Sequence, residues 1–162
     1  MPRRTQPPVA LDDVDRRLLA LLTEDGRASV NVLATRANVA RSTVYTRLER
    51  LRREGVITGY TATVDHARAG QPVAALIFVN IEQHSWPAAR AELRELPGLQ
   101  HLFLTSGTFD VVLLVRMADI AALRDVILVQ LHGIRHVKAT QTVFVLDEED
   151  LPIGASSGVS SG

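Results

Sequence analysis

At Gly55 the apolar residues change their spacing, from three or four positions apart to alternate positions. A helix repeats every 3.6 residues and a strand every two, so the two parts of the chain cannot share one uniform architecture. Before Gly55 the pattern is helical. Asp12 is placed to cap a first helix, with Asp13 and Asp15 in its first turn, where the helix dipole favours acids. Val14, Leu18, Leu21 and Leu22 follow as an amphipathic stripe, and Gly26 ends it. Ser29 caps a short second helix carrying Val30, Leu33 and Ala34 to about Arg36. Asn38 tolerates the left-handed conformation that a tight turn between helices needs. A third helix runs from about Arg41 to Glu54 and stops at Gly55. Two helices joined by a turn of about four residues make a helix-turn-helix.

Beyond Gly55, Val56, Ile57 and Tyr60, then Thr61–Val64, read as short strands of a wing. His66–Pro72, with Gly70 and Pro72, reads as a hinge. Elements then alternate: a strand over Val73–Glu82, a helix over about Trp86–Leu96, and a strand over Leu99–Thr105. The turn Ser106-Gly107-Thr108 leads to a strand over Phe109–Arg116, a helix over Asp119–Leu131 stopped by Gly133, and a strand over Val137–Leu146. That βαββαβ order predicts a ferredoxin-like domain, so the chain is α+β: a winged-type helix-turn-helix followed by a split-βαβ unit. The expected boundaries are a flexible arm 1–10, a helix-turn-helix domain 11–60, a linker 61–72, the second domain 73–149 and a flexible polar tail 150–162.

Aromatic residues make up only 4% of the chain, so its cores are aliphatic, and it has no cysteine, which rules out disulfides and thiolate metal sites. The N-terminus lacks the apolar core of a signal peptide, and no apolar run approaches the roughly 18 residues of a membrane span, so the expectation is a cytoplasmic protein without membrane contact. The net charge is zero, yet it is unevenly spread. Residues 1–60 hold eleven Lys/Arg against seven Asp/Glu, and residues 61–162 hold seven against eleven. A basic first half suits phosphates.

The third helix sharpens that reading. On a helical wheel Val44, Leu48 and Leu51 fall together and face the core. Ser42, Thr43, Thr46, Glu49, Arg50 and Arg53 lie opposite, with Arg41, Tyr45, Arg47 and Arg52 on the flanks. Small hydroxyls near a recognition helix's N-terminus bond base edges or phosphates without filling the groove, and arginine pairs guanine or clamps phosphate. The expected groove contacts are Ser42, Thr43 and Thr46. Arg50 reaches bases or phosphate, while Arg41, Arg47 and Arg53 serve phosphate, and Arg27 in the first inter-helix turn joins the DNA-facing set. Tyr45 stacks on a sugar or base, or packs on the first helix.

Laid out in this order, the chain resembles the leucine-responsive regulatory protein/AsnC (Lrp/AsnC, feast-or-famine) family over about residues 11–149. The carrying residues are Leu11-Asp12-Asp13-Val14-Asp15-Arg16, Asp25-Gly26-Arg27-Ala28-Ser29, Arg47-Leu48-Glu49-Arg50-Leu51, Gly55-Val56-Ile57, Gly59-Tyr60 and Ser106-Gly107-Thr108-Phe109-Asp110. The resemblance implies a transcriptional regulator whose second domain is the family's RAM module, pairing into homodimers that assemble further, often to octamers. It implies an amino-acid or related effector bound between dimers, by the turn Ser106, Gly107, Thr108, Phe109 and Asp110 with Asp119, Thr140 and Thr142 from neighbouring chains. Gly107 would let backbone N–H groups approach a carboxylate, and Asp110 or Asp119 would pair an amino group. The same turn also reads as a plain hairpin connection with Phe109 in the core. The chain departs from the family pattern at Ala40, where many relatives cap the recognition helix with Ser or Thr, and at Asn38, where Gly is frequent.

Two other readings compete. Some haem-pathway decarboxylases resemble the same family. Such an enzyme needs a large pocket lined by basic or His side chains, whereas His66, His84, His101, His132 and His136 show no ligand spacing beyond the loose pair His132/His136, which brackets a helix stop. No Ser/His/Asp arrangement, phosphate loop or HExxH occurs, so no catalytic residue, metal or cofactor is expected. The other rival is a metabolite-binding module that has lost DNA. The favoured expectation is a dimer presenting two recognition helices to a roughly palindromic operator, with half-sites about one helical turn apart.

Overall fold

The computed structural model describes residues 7–82 and 84–149. The arm is therefore described only from Pro7, and the expected tail lies outside the described residues. The chain divides into two compact units with the boundary at Thr63/Val64.

The first unit holds three helices: α1 (Asp13–Glu24), α2 (Val30–Ala37) and α3 (Arg41–Arg53). Asp12 caps α1 in a reciprocal box, its side chain accepting from the backbone of Asp15 while the Asp15 side chain accepts from the backbone of Asp12. Ser29 caps α2 through the N–H of Val32. Asn38 ends α2 in the left-handed region at φ 55°, ψ 53°, and Val39 N–H closes the turn on the Ala34 carbonyl at 3.0 Å. Leu18, Leu33, Ala34, Ala37 and Val44 form the core. Burying each such leucine contributes about 1.5–3 kcal/mol, which is what fixes three short helices against one another.

The wing expected at Val56–Val64 does not form within this chain. The N–H groups of Val56 and Ile57 both donate to the Leu51 carbonyl at 2.9 and 3.0 Å, folding those residues back on the end of α3. Residues 58–64 have no strand partner among the described residues. The hinge segment is an ordered turn, in which Ala69 and Gln71 donate to the carbonyls of Asp65 and His66.

The second unit is a four-stranded antiparallel sheet in the order β2-β3-β1-β4, with β1 (Val73–Ile81), β2 (Leu99–Leu104), β3 (Val111–Met117) and β4 (Val137–Phe144). Alternation along β1 and β3 sends Ala75, Ile77, Val79, Val111, Leu113 and Val115 to one face, where they are buried with residues of α4 (Trp86–Leu93) and α5 (Ile120–Asp125). The βαββαβ order stands, with shifts of detail. α4 stops at Leu93, and Leu96 reaches the core from the following turn. Asp119 caps α5, but the expected single helix to Leu131 changes pitch: Val126–Leu131 is π-helical. Val126 and Leu131, five residues apart, are both buried there, and a wider turn is what brings that spacing to one side.

Gly98, in the turn before β2, lets the chain lie close against the end of β3. It sits at φ +67°, and a Cβ there would lie 2.1 Å from the Arg116 carbonyl oxygen. The opposite face of the sheet carries Leu76, Phe78, Val112, Leu114, Phe103 and Val143. No helix of this unit lies over it, since α4 and α5 pack on the other face.

Candidate nucleic-acid interface and ligand turn

Val44 and Leu51 anchor α3 with no exposed surface, as the wheel requires. Arg41, Ser42, Thr46 and Arg53 are exposed and Thr43 is half-buried, so the outward face of α3 carries the hydroxyls and cations that its sequence placed there. The Thr46 hydroxyl donates to the Ser42 carbonyl at 3.0 Å, which leaves its lone pairs outward to accept. Tyr45 is 64% exposed, so most of its ring faces solvent. Ala40 is the N-cap of α3 without a side-chain hydrogen bond, leaving the first backbone N–H groups of the helix open. Arg27 is exposed in the α1–α2 turn and borders a cleft of about 710 Å³ lined also by Leu19, Leu22, Ile57 and Tyr60.

Arg47 and Arg50 are placed differently from the wheel. One terminal nitrogen of Arg47 reaches Asp12 at 2.5 Å and Asp15 at 3.2 Å, and Arg50 pairs with Asp15. Asp15 has no exposed surface. The backbone N–H of Asp15, then the Arg47 guanidinium, hold the Asp12 carboxyl below the ordinary carboxylate range, and the hydrogen bond to Asp12 raises the Arg47 pKa in turn. A wheel records where a helix position points, whereas a long side chain can lie back along the helix to reach a buried carboxylate. The signal in the sequence is the matched i, i+3 spacing of Asp12/Asp15 and Arg47/Arg50, which capping and outward-facing charge account for equally well.

In the second unit, Ser106, Gly107 and Thr108 form an exposed turn. Gly107 sits at φ +148°, a conformation that favours glycine. Phe109 is half-buried against Phe78, ring centroids 5.3 Å apart, and Phe78 lies on the sheet face opposite the helix-covered core. Asp110 is tied down: its N–H donates to the Val79 carbonyl and its carboxylate accepts the N–H of Ile81 at 2.9 Å. Thr140 in β4 stands directly across from Val79, so Asp110 and Thr140 lie at the same end of the sheet on either side of β1, and Thr142 follows Thr140 along the same face. The Thr140 hydroxyl is 3.1 Å from Nε2 of His132. Asp119 follows β3 at the other end of the sheet and caps α5 through Ala122 N–H at 2.7 Å. Within one chain, Asp110 and Thr140 share an end of the sheet and Asp119 does not. His136 pairs with Glu82 at 3.3 Å.

Comparison with known proteins matches residues 11–58 to a winged helix-turn-helix DNA-binding family model and residues 74–150 to the Lrp/AsnC ligand binding domain. An uncharacterised HTH-type transcriptional regulator of Pyrococcus abyssi is 36% identical over 83% of this chain and 85% of its own length. The HTH-type transcriptional regulator LrpA of Mycobacterium tuberculosis is 34% identical over 88% of this chain and 98% of its own. Among solved structures, a Neisseria meningitidis transcriptional regulator in complex with L-methionine superposes with a TM-score of 0.81 at 26% identity, covering 89% of this chain and 95% of that one. Among the described residues no helix is long and apolar enough to cross a membrane.

Proposed function

Because the chain belongs to the Lrp/AsnC family of helix-turn-helix transcriptional regulators, we propose that it binds operator DNA through α3 and that an amino acid or related metabolite controls the assembly that does so. The observation that carries the reading is the exposed face of α3: hydroxyls in its first half and, at both ends, cations that form no ion pair among the described residues, over a fully buried Val44 and Leu51. Ser42, Thr43 and Thr46 meet base edges in the major groove, and Arg27, Arg41 and Arg53 meet phosphates. Two such helices in a dimer read a roughly palindromic site.

The uncovered apolar face of the sheet supports self-association. Phe103 and Val143 are exposed on it, and Phe78, Val112 and Leu114 are half-buried beside them. A second copy laid face to face would remove that surface from water. For the effector, the supporting features are the glycine conformation at Gly107, the open turn around it and the placement of Asp110 with Thr140 at one sheet end. Asp119 then enters from a neighbouring copy, as an octamer built of four dimers would allow. The L-methionine bound to the Neisseria relative supports an amino acid as the class. The relatives are named as regulators, so we read this chain as a non-enzymatic cytoplasmic regulator.

The test uses the full chain and duplex DNA from upstream of its own coding sequence, titrated with and without each of the twenty amino acids. At least one amino acid should shift both the affinity for DNA and the unfolding temperature, because a ligand of the native state raises its stability. A chain that fails to retain any duplex at low salt would contradict the DNA reading. A panel without response would contradict the amino-acid effector.

A further inference from the structure

The network joining α1 to α3 uses two of the cations that a DNA-binding helix would otherwise offer to phosphate. Asp15 presents one oxygen to Arg47 at 3.2 Å, and the other receives both Arg50 and the Asp12 N–H at 3.1 Å. Asp12 takes the same Arg47 nitrogen from outside. A carboxylate with no exposed surface is tolerated only when its charge is met by partners, and here both arginines supply that charge. Nε of Arg50 is buried without an acceptor among the described residues, so the contact with Asp15 is made by the terminal nitrogen of that guanidinium. The network of two carboxylates and two guanidiniums carries no net charge, so Arg47 and Arg50 add no positive charge to the middle of α3. Arg41, Arg52 and Arg53 are exposed and form no ion pair among the described residues.

Resting on the DNA-binding reading above, we propose that Asp15, with Asp12 beside it, is a positioning residue for DNA recognition: it withholds Arg47 and Arg50 from phosphate. Reading is thereby left to the hydroxyls of the first half of α3, and non-specific attraction to Arg41, Arg52 and Arg53. Each cation that neutralises a phosphate adds about 0.9 to the slope of log affinity against log salt on a duplex, independent of its sequence. Two free arginines in mid-helix would therefore strengthen binding to every sequence and dilute discrimination. The buried carboxylate limits that contribution.

The experiment measures the salt dependence of binding by the full chain to a duplex of random sequence and to the chain's own upstream duplex. Asp15→Asn keeps the shape and an accepting oxygen but removes the charge that holds both guanidiniums. The slope on random duplex should steepen by about one to two, random-duplex affinity at 0.1 M salt should rise about tenfold per unit of slope, and the preference for the upstream duplex should shrink. A residue that merely supports the fold would weaken both complexes together without steepening either slope, and that result overturns the proposal. Should Asp15→Asn unfold, Arg47→Gln decides: an unchanged slope on random duplex supports withholding, and a slope shallower by about 0.9 overturns it. If the unmodified chain binds no duplex, the parent reading fails and takes this one with it. If it binds and the variants contradict, only this one fails.

Discussion

The carboxylate of Asp12 accepts the backbone N–H of Asp15 at 2.9 Å and pairs with Arg47, and both contacts favour its ionised form. A carboxyl whose folded pKa lies below its unfolded value contributes stability that is complete above the unfolded value, about 3.9, and is lost as pH falls through the folded value. Thermal unfolding of the full chain should accordingly show a loss below about pH 4 that Asp12→Asn reduces, and at pH 7 the variant should melt lower. Identical pH curves for the two proteins would exclude a role for this pair. Gly107 makes a different kind of argument. Nothing lies within 4 Å of the Cβ position there, so a side chain is not blocked by space, but φ of +148° is strained for any β-branched residue. Gly107→Val should therefore reshape the turn and abolish the amino-acid response in a thermal-shift assay, with duplex affinity of the dimer unchanged. Unchanged ligand affinity would move the effector site elsewhere.

Among the elements, α3 starts without a side-chain cap, although Ala40 already holds a capping backbone at φ −66° and ψ 150°. Ala40→Ser should supply the missing acceptor and stabilise the first unit by about 1 kcal/mol, read as a shift of the urea midpoint at constant slope. No shift would mean that the hydroxyl does not reach the free N–H groups. The helices and strands were legible because each is amphipathic with one dominant period, and Asn38 was legible because few residues accept its left-handed turn. Three features were not. The wing at Val56–Val64 has strand-like residues, but a strand needs a partner and this chain provides none among the described residues. The π-helical pitch of Val126–Leu131 depends on which side chains reach the core, and local periodicity does not separate it from an α-helix. At the candidate site the wheel placed the hydroxyls and Arg41 and Arg53 as the structure does. It missed the pairing of Arg47 and Arg50 with Asp12 and Asp15, because a contact between residues 32 to 35 positions apart leaves no local pattern.

At the level of the whole molecule, one chain is incomplete in two ways: a sheet face with Phe103 half exposed, and an effector set whose Asp119 lies at the far sheet end from Asp110. On the proposed reading, further copies of the chain meet both. Val112→Asp, at the centre of the open face, should leave the chain folded but reduce it to monomers in sedimentation, since an unpaired charge in an apolar interface is costly. A variant that still sediments with the unmodified protein would place the interface elsewhere. On that reading regulation is linkage: an effector that binds one assembly more tightly would shift the population of DNA-binding forms, and DNA would then shift effector affinity by the same factor. All of this depends on the outward hydroxyls of α3 entering a duplex. The most direct test compares the unmodified chain with Ser42→Ala/Thr43→Ala/Thr46→Ala on the upstream duplex it binds most tightly and on random duplex at one salt concentration. The account predicts that the ratio of the two affinities falls toward one while random-duplex binding holds; a ratio preserved in the triple variant would contradict it.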